Sequence, residues 1–333
     1  MTEKFLEVRN LTIDFTSAGS VVHAVNDVSF TLERGKVLGL IGETGAGKSV
    51  VAKAILQILP DHGTRIRSGE ILFEGKDLMK LREDQLMKIR GNAISMIFQD
   101  PMTALNPIMR IGSQITEVIT HHKKVSKADA EKEAMAMLEK VGIPAERFRE
   151  YPHQFSGGMK QRVVCAMALA CNPVLLLADE PTTALDVTIQ AQVLRMISDL
   201  RKELDASMLI ITHDIGVVSK VCDEIAIMYA GQIIEKGSKK QIFRNPGHPY
   251  TKGLFAALPS MNEDVEYLHP IEGLPPDPAN LPAGCPFAPR CPHATDKCRE
   301  DRAIPVYEAE AGHTTKCLRY PELSGNDFRE AGL

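Results

Sequence analysis

The 333-residue sequence predicts an α/β protein: a doubly wound, mixed parallel sheet with a separate antiparallel β layer and a helical subdomain. Three observations lead there. Short apolar runs alternate with stretches of helical spacing, a glycine-rich loop joins one such run to a helix, and a later apolar run ends in two acids.

Taken along the chain, Lys4 to Leu32 alternates polar and apolar residues around a turn at Ser17 to Ser20, and Ser68 to Lys76 reads as another strand ending in a turn. Together they form the antiparallel layer. Val37-Leu38-Gly39-Leu40-Ile41 has the character of a buried parallel strand, and helical spacing from Val50 to Leu59 runs until Pro60. The stretch from Asp77 to Glu150 is charged and Ala/Met-rich, as in Lys127 to Val141, and is interrupted by Pro101 and Pro107; it predicts an inserted helical subdomain, about residues 77–160. A helix follows from Ser156 to Leu169 and stops at Asn172-Pro173. Strand Val174 to Ala178, helix Val187 to Leu204, strand Met208 to Thr212 and a helix from Gly216 restore the alternation. Beyond Gly237 the pattern weakens, and eight prolines between Pro270 and Pro292 predict an extended, loop-built tail.

Composition narrows the function. With 39 Lys+Arg against 43 Asp+Glu the net charge is −4, which offers no field suited to a nucleic-acid backbone. No run approaches the length of a membrane span, and Met1-Thr2-Glu3-Lys4 leads into strand alternation rather than a basic segment and apolar core, so a soluble, intracellular protein is expected. Of seven cysteines, Cys165, Cys171 and Cys222 lie in apolar or helical stretches and read as core.

The chemistry centres on Gly42-Glu43-Thr44-Gly45-Ala46-Gly47-Lys48-Ser49, which fits G-x-x-x-x-G-K-[ST]. In such a loop backbone N–H groups wrap phosphates, the lysine reaches the terminal ones, the hydroxyl binds Mg²⁺, and the following helix adds the positive end of its dipole. Phosphoryl transfer to water further needs a carboxylate on Mg²⁺ and a group that orients or deprotonates the water. Asp179 and Glu180 close an apolar strand where those two acids would stand. Gln99, after Ile94 to Phe98, and His213, after Ile211-Thr212, end apolar strands too, where strand C-termini present side chains to a ligand crevice.

With Phe155-Ser156-Gly157-Gly158-Met159-Lys160-Gln161-Arg162 added, the set resembles the nucleotide-binding subunit of ATP-binding-cassette transporters, a P-loop NTPase cassette, over about residues 4–260. Ser156 can cap the helix that begins at Gly157, turning hydroxyl, bare backbone and dipole toward an anion. The resemblance implies a head-to-tail pair of cassettes, each ATP held between the phosphate loop of one and Ser156, Gly157 and Gly158 of the other, with Asp186 in the crossing loop. It implies Glu180 as catalytic base, Asp179 as Mg²⁺ acid beside Ser49, His213 as γ-phosphate switch, Gln99 as Mg²⁺ and water sensor, and Phe15 as the ring under adenine. Met159 stands where glutamine is usual. Similar Met-containing signatures, and a segment like Asn245 to Leu254, mark the dipeptide and oligopeptide importers, which implies a peptide substrate. The implied partners are a second, paralogous cassette, two membrane permeases touched near Pro101 to Pro107, and indirectly an extracytoplasmic peptide-binding protein. The chain is then peripheral, on the cytoplasmic face of the membrane, and carries nickel, glutathione or another solute only as the alternative.

Cys285-x5-Cys291-x6-Cys298-x18-Cys317 lies in the tail, residues 261–333. That spacing is neither the C-x2-C of common zinc sites nor the tight ferredoxin run, and in a reducing compartment a metal is favoured over disulfides. Resemblance to the peptide-importer subfamily implies a [4Fe–4S] cluster, with zinc the alternative; His293 and His313 lie close by, but four cysteines already complete a site. Metal binding would supply folding energy to a tail too small for its own core. Two other classes lose ground. A cassette ATPase acting on DNA or ribosomes commonly has two cassettes or a long coiled coil, and a GTP switch needs an N-K-x-D or T-K-x-D segment; the sequence has none of these.

Overall fold

In the computed structural model, residues 4–17, 19–183, 185–257 and 271–323 are described. β1 (Lys4–Ser17) and β2 (Ser20–Glu33) form an antiparallel ribbon, β3 (Val37–Ile41) opens the main sheet, and α1 (Lys48–Ile55) follows it. β4 (Thr64–Phe73) and β5 (Lys76–Asp77) return to the ribbon, giving a four-stranded antiparallel sheet in the order β2-β1-β4-β5. α2 (Glu83–Ile89) leads to β6 (Ile94–Ile97), and then come α3 (Pro101–Ala104), α4 (Ile111–His122), α5 (Lys127–Lys140) and α6 (Gly157–Leu169). β7 (Leu175–Asp179), α7 (Val187–Glu203), β8 (Ser207–Thr212), α8 (Ile215–Val221) and β9 (Glu224–Tyr229) complete the alternating core. β10 (Gln232–Ser238), α9 (Lys239–Arg244), α10 (Pro249–Ala256), β11 (Tyr307–Glu310) and β12 (His313–Thr315) follow.

The eight-stranded main sheet runs β11-β12-β10-β9-β3-β8-β7-β6, parallel from β9 to β6 and antiparallel from β9 outward to β11. Every residue of β3, β7 and β8 is buried, the signature of a parallel sheet covered on both faces. Alternate side chains divide between two cores. Leu176 and Ile210 face the helices α4 to α7, with Ile115, Leu138 and Val164, while Leu175, Leu177, Leu209 and Ile211 pack with Val51 and Ile55 of α1 and with Leu6 and Ile13 of the antiparallel layer.

Two expectations change. Helix α1 stops at Ile55 rather than running to Leu59, because Gln57 adopts a left-handed φ of 52° and Ile58 N–H donates back to Lys53 O, a closing pattern of the Schellman type. The tail is not loop alone: β12 pairs with β10, Glu235 opposite Thr315, so the main sheet gains two strands from the C-terminal segment. Strands of four and three residues leave no legible periodicity in sequence.

Leu177, fully buried in β7, provides a test of the sheet as the central support. Leu177→Ala should lower unfolding free energy by about 2–5 kcal/mol in urea titrations of the full chain, and a loss well under 1 kcal/mol would place β7 at the periphery.

Candidate nucleotide site

The glycine-rich loop fits between the two sheets because two of its positions carry no side chain. A Cβ on Gly42 would lie 2.1 Å from Met228 O, and one on Gly47, whose φ is 98°, would lie 2.2 Å from Ala24 O. Gly47 caps α1, so the free amides at that helix start face the loop's interior. Lys48 is buried and its Nζ donates to Gly42 O at 2.7 Å and Glu43 O at 2.9 Å, curling over the loop. Burial pulls the Lys48 ammonium below its usual pKa, against the opposing pull of Glu180, Asp179 and Glu43.

Ser49 Oγ donates to Asp179 Oδ1 at 2.8 Å, joining the loop after β3 to the end of β7 across β8. Burial raises the pKa of Asp179, with the hydrogen bond from Ser49 opposing it and the neighbouring Glu180 adding to the rise. A buried carboxylate held this way is electrostatically ready for a cation, and a hydroxyl beside it completes a hard oxygen pair.

Glu180 carries a left-handed φ of 45° and donates its N–H to Ile211 O at 2.9 Å. Its carboxylate accepts from Gln99 Nε2 at 2.8 Å and Thr183 Oγ1 at 2.9 Å on one oxygen, and lies 3.2 Å from His213 Nδ1 on the other. Burial alone would raise its pKa, but the hydrogen bonds from Thr183 and His213 prevail and hold it below the usual carboxylate value. The structure thus brings Gln99, Glu180 and His213 together from the ends of β6, β7 and β8, beside Asp179, Ser49 and Lys48. Thr183 belongs to none of the motifs above; its signal in the sequence is a hydroxyl three residues after Glu180.

Ser156 caps α6, its Oγ accepting from Met159 N–H at 3.4 Å, and is exposed along with Gly157. Gly158 packs on α7, where a Cβ would lie 2.6 Å from Ile189 Cγ2, and Asp186 caps that helix through a 3.0 Å bond from Ile189 N–H. Among the described residues no hydrogen bond joins Ser156, Gly157 or Gly158 to the phosphate loop. Phe15 lies half-buried in β1, opposite Val22 and Thr64, and packs against the core cluster that includes Ala46 of the loop.

In the C-terminal segment, Cys285, Cys291, Cys298 and Cys317 line one apolar cavity of about 20 Å³ with His293. Burial raises the pKa of Cys285, and pushes Cys291 to about 11 and Cys317 to about 12. Among the described residues no three His, Cys, Asp or Glu side chains stand close enough together to hold a metal ion, so the expected metal centre is not formed by these positions as they stand. His313 is no spare ligand: it is fully buried and its Nε2 lies 2.7 Å from Glu235 Oε1. Cys165, Cys171 and Cys222 are buried core residues, as read. Among the described residues no helix is long and apolar enough to cross a membrane.

A nucleoside triphosphate with its cation makes use of loop, acids and polar strand ends at once, and the site is that of a P-loop nucleoside triphosphatase. The ABC transporter family matches residues 25–183, and the C-terminal region of oligopeptide/dipeptide transporters matches residues 234–298. The chain is 50% identical over 318 residues to the dipeptide transport ATP-binding protein DppD of Bacillus subtilis (strain 168), covering 95% of this chain and 94% of that protein. It is 46% identical over 319 residues to the oligopeptide transport ATP-binding protein OppD of Escherichia coli (strain K12), covering 95% and 94%. The dimeric, post-hydrolysis ATP-binding cassette MJ0796 bound to ADP and Pi superposes with a TM-score of 0.64 at 25% identity, over 70% of this chain and 98% of that one. The chain belongs to the ABC transporter ATP-binding family, in the branch that carries the oligopeptide/dipeptide transporter C-terminal region.

Removing the Thr183 hydroxyl deletes one of the two hydrogen bonds that depress the Glu180 pKa. In Thr183→Val the midpoint at which Glu180 protonates, followed by carboxyl-carbon NMR, should therefore move to higher pH; an unmoved midpoint would show that Thr183 does not set it.

Proposed function

We propose that this chain is the ATP-hydrolysing subunit of a peptide importer, working in pairs on the cytoplasmic face of the membrane beneath two permeases. The observation that carries the reading is the Ser49–Asp179 contact with Glu180 beside it, held by Gln99, Thr183 and His213. The peptide substrate is supported by the dipeptide and oligopeptide transport relatives and by the matched C-terminal region.

In this reading the amides of residues 42–47 and Lys48 bind the phosphates, and Ser49 and Asp179, with Gln99 nearby, would hold a Mg²⁺ that would supply charge neutralisation for the phosphates. Lys48 exchanges its two carbonyl partners for phosphate oxygens. Glu180, ionised by its hydrogen bonds, orients the attacking water and takes its proton, while His213, much more exposed than Glu180, turns to the γ-phosphate. Phe15 stacks beneath adenine. Ser156 and Gly157, which are exposed, and Gly158 behind them serve the nucleotide of a second, related cassette, with Asp186 in the crossing loop. The exposed apolar residues Met102 (60% exposed) and Ile108 (83%), close after Gln99, support a permease contact on this face, so that ligand and membrane partner meet through one segment. An extracytoplasmic peptide-binding protein would deliver the cargo.

Cys285, Cys291, Cys298 and Cys317 are the proposed ligands of a [4Fe–4S] cluster, with zinc the alternative. The donor chemistry suits it, since four thiols line one apolar cavity, and they would have to draw together around the group because no three stand close enough to hold a metal as they are. Such a group would cross-link the loops of the segment. Anaerobic purification with iron and sulfide analysis should return about four of each per chain; a colourless protein with stoichiometric zinc overturns that choice.

Glu180→Gln should still capture ATP, yet lose about 10²–10⁴-fold in turnover and lose peptide uptake in vesicles containing the permeases. Unchanged hydrolysis would remove Glu180 from the role of base.

A further inference from the structure

Glu43, the second residue of the phosphate loop, is a misplaced charge for a site that must take up a polyanion. Its carboxylate lies within electrostatic range of Lys48, where it favours the ammonium and adds negative charge beside the group that must meet the phosphates. The answer to that charge comes from the far end of the sequence. Arg290 Nη1 donates to both Glu43 oxygens, at 2.8 and 3.2 Å, and the Arg290 side chain is only 6% exposed. The rest of the guanidinium is fixed as well: Nε donates to Glu272 O at 3.0 Å, Nη2 to Ile271 O at 3.2 Å, and Nη1 also reaches Tyr229 Oη at 3.3 Å. The Glu43 backbone is tied down separately, its N–H donating to the buried Tyr250 Oη at 3.1 Å.

We infer that Arg290 is a positioning residue of the nucleotide site, which neutralises Glu43 and holds it back from Lys48 and the phosphates. The inference rests on residues 42–49 being the ATP site. Arginine suits the task because its planar fork meets the carboxylate and two carbonyls simultaneously, whereas a lysine offers one compact charge. A partly buried carboxylate stripped of its partner would be left to repel ATP across a short, poorly screened distance. The segment bearing the four cysteines therefore reaches the loop's carboxylate through Arg290, directly before Cys291.

The test is titration of the full chain with a fluorescent ATP analogue and Mg²⁺, with melting temperature recorded alongside. Arg290→Met, which keeps the aliphatic stem, should weaken binding about tenfold, most strongly at low ionic strength. Adding Glu43→Gln to that variant should bring affinity back to within about threefold of wild type, because the uncompensated charge is gone. Wild-type affinity in Arg290→Met, or a double variant as weak as the single, overturns the assignment, since a packing role would not be rescued by removing a charge elsewhere. Should Arg290→Met not fold, Glu43→Gln alone decides: with the arginine charge freed, binding must equal or exceed wild type, and a tenfold weaker affinity overturns it. Lys48→Ala keeps the underlying reading separate, because binding that survives there would move the ATP site itself away from the loop.

Discussion

Two carbonyl oxygens, Met228 O on β9 and Ala24 O on β2, occupy the space where side chains of residues 42 and 47 would begin. The phosphate loop is consequently wedged between the parallel sheet and the antiparallel layer, and its curvature is the imprint of both. Asn26 N–H donating to Gly231 O and Gly231 N–H to Ala46 O stitch the three segments at that point. The antiparallel layer is thus more than a cover for the core: it supplies one wall of the loop, and a shift between layers would alter the spacing of the amides that bind an anion.

Charge is arranged around this wedge so that the protein satisfies itself before nucleotide arrives. Lys48 rests on two carbonyls, Ser49 on Asp179, and Glu180 on Gln99, Thr183 and His213. Each contact is one that a phosphate, a cation or a water could replace with a stronger charge-assisted bond. Glu180 adds backbone strain, since a non-glycine residue at φ 45° is tolerated only where its surroundings enforce it. Here the enforcing contact is the bond from its own N–H to Ile211 O on the adjacent strand, which fixes the carboxylate at the C-terminal end of the parallel strands.

The parallel core and the nucleotide loop were legible in sequence because each leaves a local trace. Apolar runs such as Leu175 to Ala178 closed by Asp179, the helix cap at Ser156, and the loop's glycines can all be read within ten residues. What could not be read depends on distant residues. The end of α1 turns on the backbone conformation of Gln57, β11 and β12 are too short to show a period, and the pairing of Arg290 with Glu43 spans 247 positions. Nor does spacing reveal that His313, a candidate ligand by its neighbourhood, is consumed by Glu235.

That last pair explains why the C-terminal segment belongs to the same body as the sheet. Glu235 on β10 accepts from His313 on β12 and also from the backbone N–H groups of Gly247 and His248, which lead into α10. One fully buried carboxylate thereby joins the sheet's added strands to the helix that presents Tyr250 to the phosphate loop. Replacing it with an apolar group would leave two amides and an imidazole without acceptors, a cost that burial cannot return. The tail, the added strands and the loop are therefore fastened through polar contacts that work only together, and a disturbance at the sheet's outer edge has a short, fully hydrogen-bonded route to residue 43.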